Sequence, residues 1–274
     1  PSTTITMETS NVEVTATYAE VVGGLVSRYT FDVDARDTYG TNDGTLANNA
    51  TVTNDGTRGL VVSLDGEADY VDLPAGAMAA GRSELTLSMW INADEWVSSN
   101  TIWDEYDGAY WQFSIREDTW YTRDSSTGSM GTRDNDVSMP TVGTGAWHHL
   151  AFVYSVSEGV KEIYYDGLLS GSSTTSIDAL TSDRQDSRIG YPCDGTYFDG
   201  LIDDMRLYNR ALNTVEIAKL AEQTLYDLTV NSGSGNGEYI EGHVVSISAD
   251  AAPSGQDFDE WVGDTSGIAS VTIP

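Results

Sequence analysis

Six of the seven tryptophans fall between positions 90 and 147, and the run Trp103, Tyr106, Tyr110, Trp111, Trp120, Tyr121 is interrupted by polar residues instead of apolar ones. Sugar rings present apolar C–H faces that stack on aromatic platforms, while a few placed polar groups fix their hydroxyls. Arg116, Arg123 and Arg133 lie in the same stretch. The expected carbohydrate contacts are Trp103, Tyr106, Tyr110, Trp120, Tyr121 and Arg123, with Tyr197 added from a loop before a later strand. One constraint opposes wholesale exposure. Residues 110–116 alternate, so one set of side chains must enter a core, and Trp111, Phe113 and Ile115 form the core set by type.

A second constellation is acidic. Residues 32–44 (DVDARDTYGTNDG) mix carboxylates with turn carbonyls, the ligand set that a six- to eight-coordinate Ca²⁺ takes. The spacing is not that of an EF-hand, because no closing bidentate glutamate follows. Other catalytic chemistries find little support. Glycoside cleavage needs two carboxyl groups about 5 to 9 Å apart, and the candidates Asp104, Glu105 and Asp107, or Asp203 and Asp204, have unsuitable spacing. Cys193 is the lone cysteine, which excludes an internal disulfide. A Cys/His pair would have to draw its base from His148, His149 or His243. No catalytic residue is assigned, and the chain reads as a non-enzyme.

A formal charge of −30, with Lys161 and Lys219 the only lysines, repels polyanions and disfavours nucleic acid as a partner. No run of 18 apolar residues exists, so membrane insertion is not expected, and no basic-then-apolar export segment opens the chain. At 274 residues and 39% apolar content, one full-sized core and a smaller one can be buried.

The elements that must position these residues are strands. From residue 22 onward short apolar runs recur every 8 to 12 residues between Gly, Asn, Asp and Ser clusters, the pattern of an all-β sandwich. Alternation marks strands at 85–91, 110–116 and 147–154, and a further strand at 162–165 meets a hairpin turn at Asp166-Gly167. One helix is predicted at 213–222, with Asn213 and Glu216 at capping-box spacing. After Thr224 the composition shifts to Gly and Ser, a domain boundary.

Taken in order, YTFD (29–32), LDGEADYV (64–71), LTLSMW (85–90), WHHLA (147–151), YYDG (164–167) and FDGLIDDMRLYNRAL (198–212) resemble the laminin-G-like, concanavalin-A-like jelly roll. That resemblance implies a jelly-roll β-sandwich over 22–224, and structural roles for Trp90, Trp147, His148 and His149. It further implies a Ca²⁺ held by Asp32, the carbonyls of Gly40 and Asn42, and Asp203. Laminarinase-type hydrolases share the jelly roll but carry Glu-x-Asp-x-Glu on one strand, which is missing here. Residues 228–250 and 258–261 resemble the start of an internalin-type bacterial surface repeat, and residues 1–20 its end. The expected domains are 1–21 as the closing strand of a small β module, 22–224 as the jelly roll, and 225–274 as the opening part of such a module.

The expected function is calcium-stabilised glycan binding by an extracellular bacterial surface protein. The alternative is a structural bead of a fibre or giant adhesin, joined to neighbouring copies through terminal β-strands and holding no small ligand.

Overall fold

The computed structural model describes residues 21–75, 77, 82–97, 100–106, 111–122, 136–174, 179–180, 186–192, 196–240 and 245–257, without the side chains of Tyr106, Trp111, Gln112 and Ile240. In chain order the strands are β1 (Leu25–Tyr29), β2 (Thr45–Ala47), β3 (Thr51–Asn54), β4 (Leu60–Asp65), β5 (Tyr70–Leu73), β6 (Glu84–Ala93), β7 (Asn100–Tyr106), β8 (Trp111–Arg116), β9 (Thr119–Thr122) and β10 (Val137–Ser138). They continue as β11 (His148–Ser155), β12 (Val160–Tyr165), β13 (Leu168–Ser173), β14 (Asp186–Ile189), β15 (Thr196–Tyr197) and β16 (Asp199–Tyr208), followed by helix α1 (Thr214–Leu220). Beyond the helix come β17 (Leu225–Leu228), β18 (Gly233–Ser234), β19 (Gly237–Ile240) and β20 (Ser248–Ala249).

The chain divides after Ala221 into two compact units. In the larger, the strands form two sheets of a jelly-roll sandwich. The first runs β13-β12-β11-β6-β16-β4-β3 with β1 beside β16, and the second runs β10-β9-β8-β7-β14-β5-β2 with β15 beside β7.

Period-two alternation decides what each face carries. On β6, Leu85, Leu87, Met89 and Ile91 are completely buried between the sheets. They sit in register with Tyr154, Phe152, Leu150 and His148 of β11. The intervening Thr86, Ser88 and Trp90 point to the outer side of the first sheet. Part of that outer side is closed by α1, where Ile217 and Leu220 cover Ala151, Val153, Tyr164 and Tyr208. The helix begins as its sequence dictates: Asn213 accepts from the Glu216 N–H, and the Glu216 carboxylate accepts from the Asn213 N–H. At the β12–β13 hairpin both Asp166 (φ 47°) and Gly167 (φ 79°) take the left-handed conformation that a type I′ turn requires.

The smaller unit is different in kind. Its described residues pair as two ribbons, β17 with β19 and β18 with β20, and none of those whose side chains are described is buried.

Candidate functional site

The outer face of the second sheet gathers the side chains best suited to hold a ligand. Strand pairing aligns one rung across five strands: Tyr121 opposite Ser114, Ser114 opposite Asp104, Asp104 opposite Arg188, and Arg188 opposite Asp72. Paired residues share a face, so these five point the same way. Asp104 and Ser114 are buried in the middle of the rung, whereas the side chains of Asp72 and Asp186 are 50% and 41% exposed.

At the β5–β14 end three tyrosines meet around Arg188. The rings of Tyr70 and Tyr191 stand 5.0 Å apart edge to face, and those of Tyr191 and Tyr197 stand 5.4 Å apart. The Arg188 guanidinium carbon lies 4.4 Å from the Tyr191 ring centre and 5.3 Å from that of Tyr70. Its Nε donates to Asp72 Oδ1 at 3.1 Å and its Nη2 to Asp186 Oδ2 at 3.2 Å. Burial works against the charged form of Arg188, but the Asp72 hydrogen bond and the nearby carboxylates outweigh it and raise its pKa. Tyr197 is also raised, chiefly by burial and then by Tyr191 and Tyr70.

The chain positions this group through a closed loop. Gly190 has φ 81°, and a Cβ there would come 2.4 Å from Leu64 Cδ1, so the turn into Tyr191 requires glycine. The Phe198 N–H donates to the Gly190 carbonyl, and buried Phe198 anchors the far end. Asn100 Nδ2 donates to the Tyr197 carbonyl at 2.7 Å, fixing β15 against β7.

Of the residues expected to contact sugar, Tyr197 belongs to this group, and Tyr121 lies on the same face under Arg116, whose guanidinium carbon is 5.5 Å from its ring. Trp103 and Trp120 correct the expectation: both are fully buried between the sheets. Trp103 is level with Ile115 and Ile189. Trp120 packs edge-on against Phe113 and Phe152 at 5.5 and 5.3 Å. Each is inward because its alternating neighbour, Asp104 or Tyr121, is outward. The backbone of Tyr106 ends β7, while its side chain, together with Tyr110 and Arg123, lies outside the described residues. Sequence reasoning missed Tyr70, Tyr191 and Arg188. Tyr70 stood inside a stretch, residues 64–71, that served only as a mark of the family resemblance, and the signal for the others was the alternation of 186–189 followed by glycine.

Beneath Trp120 the core holds a lysine. Lys161 Nζ donates to the Trp120 carbonyl at 2.7 Å and lies 4.5 Å from its ring centre. Burial lowers the Lys161 pKa to about 7 against the pull of Asp136.

Two of the groups that the resemblance offers to calcium, Asp203 and the Asn42 carbonyl, are engaged within the protein. Asp203 Oδ2 accepts from Arg58 Nε at 2.8 Å, and the Arg58 guanidinium covers Trp90, with its carbon 4.2 Å from the ring centre. The Asn42 carbonyl accepts from the Tyr29 hydroxyl at 2.7 Å. Asp32 is exposed. Within the acidic loop the organising carboxylate is Asp37, which accepts the N–H groups of Arg28, Tyr39, Gly40 and Asn42. Burial opposes its charge, yet these donors hold its pKa below the usual value. Among the described residues no three His, Cys, Asp or Glu side chains are arranged to hold a metal. The ligand set does not fit a calcium at Asp203, because a guanidinium already supplies the positive charge there.

The two histidines are structural parts of the first sheet. His149 is buried, with Nε2 2.9 Å from Ser88 Oγ. Desolvation lowers its pKa to about 3, so it is neutral. His148 Nδ1 meets Asp166 and the Tyr165 hydroxyl beside the hairpin.

The sequence pattern of the concanavalin A-like lectin/glucanases superfamily matches residues 65–218, from the end of β4 into the helix. The chain belongs to that superfamily. A curated relative, adhesion G-protein coupled receptor V1 of Danio rerio, is 31% identical over 150 residues, which is 52% of this chain and 2% of the receptor. The chain thus spans a small fraction of the length of that relative.

Among solved structures, domain 4 of AbnA, a GH43 extracellular arabinanase from Geobacillus stearothermophilus in complex with arabinotriose, matches with a TM-score of 0.56 and 22% identity. The match covers 72% of this chain and 98% of that domain. Trypanosoma rangeli sialidase in complex with sialic acid matches with a TM-score of 0.53 and 20% identity, over 74% and 33% of the two chains. The receptor binding domain of botulinum neurotoxin C/D mosaic serotype matches with a TM-score of 0.56 and 16% identity, over 74% and 52%. At these identities the likeness is one of fold, and fold leaves function to the site.

Proposed function

We propose that this chain is a glycan-binding module that works without catalysis, its ligand seated on the outer face of the second sheet. The observation that carries this reading is the group of Tyr70, Tyr191 and Tyr197 around Arg188, with Asp72 and Asp186 at its edge. Half-buried aromatic rings beside rigidly held polar groups match the chemistry of a sugar, apolar on its C–H face and hydroxylated at its rim. The arabinotriose complex of the similarly folded arabinanase domain is consistent with such a role. Asp72 and Asp186 are committed to Arg188, a use that suits positioning better than acid and base work. An extracellular, bacterial setting belongs to the same proposal; among the described residues no helix is long and apolar enough to cross a membrane. Glycan-array binding of the whole chain tests the reading. Binding that Tyr191→Ala weakens supports it, and silence from a folded protein rejects it.

A second reading is favoured by residues 222–257. Two-stranded ribbons are at best marginally stable in water, and these have no buried side chain among those described. Such ribbons gain most by adding a strand along a free edge. The partner would be residues 1–20, which lie outside the described residues, or a neighbouring copy. Sedimentation of the chain with and without residues 1–20 separates the two sources.

A further inference from the structure

We propose, building on the glycan-binding reading, that the Tyr70–Tyr191 face selects uncharged sugars and rejects acidic ones. Recognition of a sugar carboxylate rests on a cation with donors aimed at it, ideally an arginine presenting two parallel N–H groups. Arg188 is the described cation of this group, and two of its five N–H donors are committed to the protein. Nε and Nη2 donate to Asp72 and Asp186, and the guanidinium lies against the rings of Tyr191 and Tyr70.

The charges of Arg188, Asp72 and Asp186 sum to −1. The two carboxylates are the members turned furthest toward solvent, with side chains 50% and 41% exposed against 22% for Arg188. An approaching carboxylate therefore meets two acids before it meets the base. The whole chain, at −30, adds a field of the same sign. A neutral sugar faces no such barrier: its hydroxyls donate to Asp72 and Asp186 while a C–H face covers Tyr191. The aspartates act as a filter, and they do so by engaging the described cation of this group.

Titration calorimetry of the full chain in 0.15 M NaCl tests this, with arabinotriose, xylotetraose and cellotetraose as neutral probes and tetragalacturonate and sialyllactose as acidic ones. The expected result is binding of at least one neutral probe and at least about tenfold weaker binding of both acidic probes, equivalent to about 1.4 kcal/mol. The double variant Asp72→Asn with Asp186→Asn frees Arg188 and should raise affinity for the acidic probes about tenfold or more, while the neutral affinity does not rise, because the sugar hydroxyls lose their carboxylate acceptors. If the double variant fails to fold, the single Asp72→Asn carries the test, with a smaller gain in the same direction. Acidic probes that bind the unaltered chain as tightly as neutral ones overturn the selectivity and leave the glycan-binding reading standing. An acidic affinity unchanged in the folded variant also overturns it. Silence toward every probe, neutral and acidic, overturns both.

Discussion

The two faces of the second sheet use aromatic residues for opposite ends. On the inner face Trp103 and Trp120 are fully buried with Phe113, Ile115 and Ile189. On the outer face Tyr70, Tyr191 and Tyr197 surround an arginine held by two aspartates. The switch happens between adjacent residues, Trp103 to Asp104 on β7 and Trp120 to Tyr121 on β9, because the pleat sends successive side chains to opposite sides. Aromatic density along a chain therefore says little about exposure. Which ring is a platform and which a core member depends on the strand's register against its neighbours.

The largest test of that contrast is Trp120→Ala. With Phe113, Phe152, Tyr154 and Lys161 all resting on the indole, the expected loss is about 4 kcal/mol or more, to the point of preventing folding. Denaturant melts showing a loss below about 1 kcal/mol would dissolve the distinction between the two faces.

Next in size is the pH dependence that Lys161 confers. Its pKa is about 7 in the folded chain, against the ordinary lysine value of 10.5. Between those values the unfolded chain binds the extra proton, so stability rises with pH across this window and is lost on going back down toward 7. The slope approaches about 1.4 kcal/mol per pH unit. Melts between pH 7 and 9.5 should show it in the unaltered protein, and Lys161→Met should flatten it. A slope identical in both proteins would remove Lys161 as the cause.

The outer face of the first sheet supplies a control for the proposed ligand face, since its ion pair is sealed rather than open. Removing Arg58 leaves Asp203 buried without its cation, an expected cost of about 3 kcal/mol. Burial already raises the Asp203 pKa against the pull of Arg58. At the exposed group, by contrast, Tyr191→Ala should weaken glycan binding by about 1 to 2 kcal/mol and change stability by less than that. If Tyr191→Ala instead costs as much stability as Arg58→Ala, the tyrosine group is a structural brace and the two faces are alike.

The smallest expected effect is that of chelation. With a guanidinium serving Asp203 and backbone N–H groups serving Asp37, EDTA should leave the melting midpoint unchanged. A ligand present at 100 times its dissociation constant contributes about 2.7 kcal/mol, so a bound calcium would reveal itself as a fall of several degrees.

Much of the fold was legible along the chain. Alternation located β6, β8 and β11, Asp166-Gly167 named its own hairpin, and Asn213 with Glu216 marked the start of α1, although the helix stops at Leu220, two residues before the expected end. These are local signals, each resolved within a few residues by dihedral preference or a nearby hydrogen bond. The candidate site was legible only at Tyr197 and Tyr121. Its other members come from β5 and, more than 100 residues later, from β14 and the turn at Gly190 that follows it, and nothing in the spacing of Tyr70 and Arg188 announces that their strands will be neighbours.

The sequence by itself determined an all-β chain of acidic surface with a resemblance that proved to be its superfamily, because periodicity, turn residues and composition act locally or in bulk. Only the tertiary structure decided which aromatic rings face solvent, which aspartates hold arginine, and that Asp203 is paired with Arg58. Those outcomes depend on strand order and register, and a shift of one residue in register exchanges the two faces of a sheet.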